Sequence, residues 1–399
     1  MKIRVRNLGM LKQDEFELGN LTTICGDNNV GKTYIAHALF GFLSLWRSVV
    51  RFTIPEEKIS ELLKDGAVSL NLLDYLSSYP EVLARACREY SSDLLPTVFS
   101  GGVDRFRKAT FEVELLIGES EIIGKDYERR LGSVNSPMEI FALQKKSGDP
   151  SLVITFLTDA GNIGSQNELI KDLINQAIIE VIFGHRFPNP FIASADRAGI
   201  VTFRNDLNLT GKPMLLNKFP EETDPTESVF KDYPLPIKTN INFMYKLWSI
   251  SKHKSQLSEE RPKILNDFCK IVGGEYLITD NDELYLVKNK KLRLTMNESS
   301  SAVRSLLHIG FYLKHIAKKG DLLMIDEPEL NLDIENQHLI ARLLAKLIDY
   351  GIKVFIVTHS YVIINTLADY CGETVGLSQK NLYTPVKSHR VGSLTKETG

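Results

Sequence analysis

The sequence predicts an α/β fold, with a mainly parallel sheet covered by helices and interrupted by a large, mainly helical insertion. Three observations carry this prediction. In the last 120 residues, short apolar runs alternate with amphipathic stretches, the pattern of parallel strands joined by helical crossovers. Near the start, a glycine-containing turn stands between a β-branched strand and an apolar helix. Between Lys32 in that turn and Asp326 at the end of a later apolar run lie 293 residues, far more than a compact core needs.

Residues 2–5 and 21–25 read as short strands, and Ile35 to Leu45 as a buried helix. Residues 55–108 carry apolar side chains at three-to-four spacing and read as mostly helical. Strand character returns at 110–117 and 152–157. The run NELIKDLINQAIIEVIFG is a strong amphipathic helix, and NPFIASADRAGI reads as a strand entering a loop. Residues 205–236 are polar and proline-rich, so a long, exposed, mobile loop is expected there. Two helical stretches follow, then three short strands over 275–295, divided by turn residues at 280–282 and 289–291. The closing alternation is helix 301–318, strand 322–325, helix 335–347, strand 353–357, helix 361–370 and a short last strand. The expected division is a head made of residues 1–50 and 272–399, with 51–271 as a helical insertion that lends the head some further strands.

The chain has 399 residues, of which 43% are hydrophobic and 25% charged, enough to bury a core. Lys and Arg total 48 against 50 Asp and Glu, which excludes a strongly basic wrapper of nucleic acid. No apolar run reaches the ~18 residues of a membrane span, and the start lacks the apolar core of a signal peptide. The four cysteines stand alone, without a CxxC pair, so neither a zinc site nor a disulfide framework is expected. A cytoplasmic protein without a membrane partner is the expectation.

Four segments carry chemistry. Gly26-Asp27-Asn28-Asn29-Val30-Gly31-Lys32-Thr33 matches G-x-x-x-x-G-K-[ST] in full, between a strand and a helix. Backbone N–H groups in such a loop curl around phosphates, and the helix N-terminus adds positive dipole. Lys32 would reach the β- and γ-phosphates, the Thr33 hydroxyl would bind Mg²⁺, and Tyr34 follows at the rim. The second segment is Leu322 to Pro328, a buried strand ending in Asp326 and Glu327. There Asp326 would hold Mg²⁺ and Glu327 would polarise the attacking water. The third is His359, at the end of the next strand, 33 residues after Asp326, where it could meet the γ-phosphate or the water. The fourth is Asn297 to Arg304, opening a helix; Ser300 and Ser301 there suit an N-cap and equally a phosphate-sensing helix start.

These elements, in this order, resemble the ABC-type ATPases, in the soluble RecF/SMC-like and OLD-like branch. The resemblance covers about residues 1–45 and 290–378 and implies an ABC-type P-loop NTPase core with a mainly parallel sheet. It implies ATP and Mg²⁺ as ligands, the glycine loop and the Asp326 strand as Walker A and B, and His359 as the switch histidine. It makes Ser300–Ser301 the signature motif, with Ala302 where glycine is usual, and Asp333 the D-loop residue. The segment around Asp196-Arg197-Ala198-Gly199 is similar to one common in OLD-like proteins, and Gln144 is the candidate for the Q-loop. The chain lacks coiled-coil arms, and 40 residues after His359 are too few for a TOPRIM nuclease. The resemblance therefore implies an ATPase-only subunit acting as a homodimer or higher homo-oligomer. Its partner would be a separate effector nuclease or toxin, as in the Septu, PARIS and retron-associated anti-phage systems. The alternative it implies is a RecF/SMC-like DNA-repair or chromosome-maintenance ATPase that binds nucleic acid directly. Arg129–Arg130 and Lys288, Lys290, Lys291 and Arg293 are the basic clusters that could touch phosphates, though solvated turns explain them as well.

Overall fold

The computed structural model describes residues 1–27, 29–132, 139–157, 167–204, 232–288, 292–375 and 384–385. Most of the loop expected near 205–236, the turn at 289–291 with Lys290 and Lys291, and Asn28 lie outside these residues.

The chain opens with β1 (Lys2–Leu8), β2 (Leu11–Glu17) and β3 (Leu21–Cys25), followed by helix α1 (Lys32–Val49). Next come α2 (Glu56–Asp65), β4 (Ala67–Asn71), α3 (Leu72–Glu89) and β5 (Thr110–Glu114). Then β6 (Tyr127–Gly132), β7 (Glu139–Lys145), β8 (Ser151–Phe156) and α4 (Asn167–Phe183) follow. The strand β9 (Pro190–Ala193) leads into a short helix α5 (Arg197–Thr202), and later α6 (Leu235–Tyr245) and α7 (Pro262–Val272). The last part holds β10 (Glu275–Ile278), β11 (Leu284–Lys288), β12 (Leu292–Thr295), α8 (Ser301–His315) and β13 (Leu322–Asp326). It ends with α9 (Ile334–Tyr350), β14 (Lys353–Thr358), α10 (Tyr361–Val375) and β15 (Thr384–Pro385).

The chain divides into two compact units. The larger (residues 4–41, 92–110 and 189–399) contains a five-stranded sheet in the order β15-β3-β14-β13-β9. Every pairing in it is parallel, with Asp326 opposite Val357 and Thr358 opposite Cys25. The sheet order explains the sequence pattern. The central strands β13 and β14 are covered on both faces and so read as unbroken apolar runs rather than alternating ones. Leu306, Leu307 and Phe311 of α8, Leu343 and Leu347 of α9 and Ile363 of α10 fill one continuous core with Leu323, Val354 and Ile356. The same core takes in Leu284 and Leu286 of an antiparallel meander, β10-β11-β12, made by the three short strands expected over 275–295.

The smaller unit (residues 1–3, 42–91 and 111–188) has the expected helices α2, α3 and α4. It also has a four-stranded antiparallel sheet, β4-β8-β7-β6, of which only β8 shows a clear strand pattern in the sequence. β4 is five residues long and lies between helical periods, so the helix signal on either side swamps it. Phe42, Trp46, Tyr90, Phe111 and Phe187 form an aromatic core in this unit, with Trp46 and Phe187 centroids 4.9 Å apart. Among the described residues no helix is long and apolar enough to cross a membrane.

Candidate functional site

The C-terminal ends of β3, β14 and β13 lie side by side in the larger unit, and each carries part of the predicted site. This is the edge at which open parallel sheets place ligands. At the first end, the loop after Cys25 turns through positive φ at Gly26 (156°), Asn29 (63°) and Gly31 (97°). Gly31 is there for two reasons: its φ suits glycine, and a Cβ would stand 2.7 Å from the Leu11 side chain. Val30 packs beside Gly26. Lys32 is buried, and its ammonium donates to the carbonyls of Gly26 (2.9 Å) and Asp27 (2.7 Å), which closes the loop on itself. α1 starts here, with Thr33 and Tyr34 exposed on its first turn. The Tyr34 ring stacks on Phe99 (centroids 5.0 Å) and lies against Gly9, so much of its surface serves packing.

At the second end, Asp326 is 2% exposed. The Thr33 hydroxyl is near enough to pull the pKa of its carboxylate down, so the two residues assigned to a metal by sequence are neighbours. Its Oδ2 is buried with no hydrogen-bond partner among the described residues. Burial pushes this carboxyl up to about 6; the Thr33 hydroxyl opposes the shift, while the Glu327 charge adds to it. A hydroxyl beside an orphaned carboxylate oxygen is a ligand set that a hard cation fits. Glu327 follows at φ 53°, an unusual conformation for a glutamate, held by its N–H on the Val357 carbonyl (2.8 Å). Its carboxylate is partly exposed.

At the third end, the His359 side chain is 52% exposed, with Nδ1 4.0 Å from Glu327 Oε1 and 3.1 Å from Glu329 Oε1. Glu329 is buried, and it also accepts from the Thr358 hydroxyl (2.8 Å) and the His359 N–H (3.0 Å). From the sequence Glu329 carries no role of its own. Its one signal was a second acid two residues beyond Glu327.

Arg197 is the other residue whose role was not read. Its side chain is 0% exposed and forms no ion pair among the described residues. Instead Nε donates to Ser305 O (2.7 Å), Nη1 to Ser194 O (2.9 Å) and Asp326 O (2.6 Å), and Nη2 to Glu327 O (2.8 Å). Burial lowers its pKa to about 10, against the pull of Asp326, Glu327 and Glu329, so it stays protonated at neutral pH. The loop expected after β9 is therefore one turn followed by α5, which Arg197 opens.

Ser300 caps α8, accepting from Val303 N–H (3.4 Å), and Ser301 begins the helix; both are exposed. Among the described residues neither bonds to the P-loop. Asp333 caps α9 through the N–H (2.8 Å) and side-chain amide (2.9 Å) of Asn336. Gln144 lies on β7 of the smaller unit.

Residues 214–364 match the family model of an AAA ATPase domain, a segment that includes Asp326, Glu327 and His359. An ATPase that binds nucleotide is what this match supports. Similar solved structures include an SMC head bound to the C-terminal winged-helix domain of ScpA (14% identity, TM-score 0.36) and the SMC head domain of Thermotoga maritima (10%, 0.31). A Pyrococcus furiosus SMC head with an extended coiled coil bound to the C-terminal domain of ScpA is a third (13%, 0.32). Each comparison covers 92% of this chain and 90% of the other. A comparison with curated proteins gave no match.

Proposed function

We propose that the chain hydrolyses ATP as one protomer of an ABC-type homodimer, and that its nucleotide cycle controls a separate effector nuclease or toxin in an anti-phage defence complex. The observation that carries the hydrolytic part is the convergence of Lys32, the Thr33–Asp326 pair, Glu327 and His359 on one edge of a parallel sheet. The defence part rests on the sequence resemblance to stand-alone ATPase subunits.

The loop amides of residues 26–31 and the N-terminus of α1 would bind the phosphates, and Lys32 would exchange its two loop carbonyls for phosphate oxygens. Mg²⁺, held by the Thr33 hydroxyl and the Asp326 carboxylate, would neutralise charge on the β- and γ-phosphates. Glu327 would orient the attacking water and accept its proton as the γ-phosphate leaves ADP. His359, seated by Nδ1 on Glu329, has Nε2 available for the γ-phosphate or the water. Ser300 and Ser301 of one protomer would cover the phosphates bound to the other, and Asp333 would lie at that junction.

The test is steady-state ATP hydrolysis by wild type, Lys32→Ala and Glu327→Gln, combined with affinity capture of tagged Glu327→Gln from cells carrying the neighbouring genes. We expect hydrolysis by wild type only, nucleotide retained by Glu327→Gln, and a stoichiometric nuclease or toxin in the capture. Wild-type turnover no faster than that of Lys32→Ala would overturn the enzyme, and capture of DNA without an effector would overturn the defence role.

A further inference from the structure

We infer that Arg197 is a positioning residue that couples the serine end of α8 to the carboxylate of Glu327. The inference rests on the ATPase reading above and adds a route by which the second protomer could switch hydrolysis on.

A buried guanidinium without a carboxylate partner is costly, and among the described residues all four of its bonds go to backbone carbonyls. Those carbonyls belong to three places: Ser194 at the end of β9, Ser305 in α8, and Asp326 and Glu327 at the end of β13. Ser305 is four residues, about one helical turn, beyond Ser301. Its hydroxyl ties α8 to the same turn again, by donating to Leu330 O (3.0 Å). The serine end of α8 is exposed, whereas the Arg197 plate behind it is not.

Glu327 is held on both sides of its unusual φ. Its N–H is on Val357, and its carbonyl accepts from Arg197 Nη2 and from the Leu330 N–H (3.1 Å). A planar fork fixed to Ser305 at one edge and to Asp326 and Glu327 at the other cannot follow α8 without moving the Glu327 backbone. Docking of the Ser300–Ser301 end on a neighbour's nucleotide would therefore reset the Glu327 carboxylate. Arg197 itself touches no substrate.

Arg197→Lys tests this, because one ammonium cannot span the fork. For a variant with wild-type circular dichroism, we expect kcat to fall about 10²-fold. The KM and the affinity for a fluorescent ATP analogue, which depend on the P-loop, should stay within about three-fold. Hydrogen exchange gives a reading that a merely structural role would not move. A non-hydrolysable ATP analogue with Mg²⁺ should protect residues 300–306 and 326–330 together in wild type, but only 300–306 in Arg197→Lys. Wild-type kcat in the variant, or full protection of 326–330 in it, would overturn the coupling. If the variant does not fold, the wild-type titration decides: the two segments must gain protection at one midpoint, and separate midpoints overturn the inference. Absence of analogue binding by wild type sinks the ATPase reading itself, whereas binding with independent segments sinks only the role of Arg197.

Discussion

Nδ1 of His359 lies 3.1 Å from Oε1 of Glu329, closer than to the Glu327 carboxylate at 4.0 Å. Glu329 is thus the seat of the histidine, and the Thr358 hydroxyl and the His359 N–H lock it from the same strand end. The exposed imidazole is oriented by a buried acid, an arrangement that fixes which ring nitrogen faces outward.

Glu329→Gln should leave folding and ATP affinity near wild type while lowering kcat about ten-fold, because an amide offers one acceptor where the carboxylate offers two. Glu329→Ala should also destabilise the protein by about 1–3 kcal/mol, since the Thr358 hydroxyl and the His359 amide lose their buried acceptor. Paired kinetics and thermal denaturation check this, and a Glu329→Gln enzyme with unchanged kcat would show that His359 is placed without it.

Asp326 predicts a pH dependence of the nucleotide-free protein. Its pKa in the fold is raised from 3.8 to about 6, chiefly by burial. Between those values the folded chain holds a proton that the unfolded chain has released. Stability therefore falls as pH rises through this window, and the cost is fully present above about pH 6. The cost is on the order of 2–3 kcal/mol. Asp326→Asn removes it and should raise Tm in EDTA at pH 8 by roughly 2–5 °C. The gain should shrink towards pH 4.5, and Mg²⁺-dependent ATP hydrolysis should be lost at every pH. Equal melting of the two proteins at pH 8 would mean that the buried carboxylate is not strained.

The parts of this site that were legible in the sequence are those whose chemistry is local. The glycines at 26 and 31 carry the turn, the apolar runs mark β13 and β14, and the acids and the histidine sit where those runs stop. Arg197 was visible only as a motif residue, because its partners are backbone carbonyls from three segments and a carbonyl leaves no trace in sequence. Glu329 was hidden for a similar reason: its donors lie 29 and 30 residues away. Ser300 was legible as a helix cap, whereas the capping of α9 by Asp333, assigned from the resemblance only as the D-loop residue, emerges from the structure. The strand β6 escaped because it is largely polar, and β7 because its short apolar run does not alternate, so pairing rather than pattern defines them.

Gly31→Ala should weaken ATP binding more than it weakens the fold. The substitution meets both a φ of 97° and the Leu11 side chain at 2.7 Å, so the loop must rearrange, at about 1–3 kcal/mol. We expect a loss of roughly 10–100-fold in nucleotide affinity. Gly66→Ala provides the comparison: φ is 73° and nothing lies within 4 Å of the added Cβ. It should cost about 1 kcal/mol of stability and leave affinity unchanged. Titration calorimetry on both variants checks the difference, and equal affinities would show that the loop tolerates a side chain at Gly31.

The exposed serines make the most direct test of assembly. Ser300 and Ser301 stand at the open end of α8 without a bond to the P-loop of their own chain among the described residues. If they complete the neighbour's site, Lys32→Ala and Ser301→Arg should each be inactive alone yet complement each other. In a mixed dimer one site combines both lesions, while the other has an intact P-loop and an intact serine end. Random mixing makes half the dimers mixed, with one working site of two, so activity should return to about a quarter of wild type. If the serines serve their own chain, every site in the mixture carries one lesion or the other, and no activity returns. Coexpression with two different tags, followed by ATP assays on the doubly purified species, separates these cases. The purified mixed dimer should then reach about half the wild-type rate, a value that cis action cannot produce.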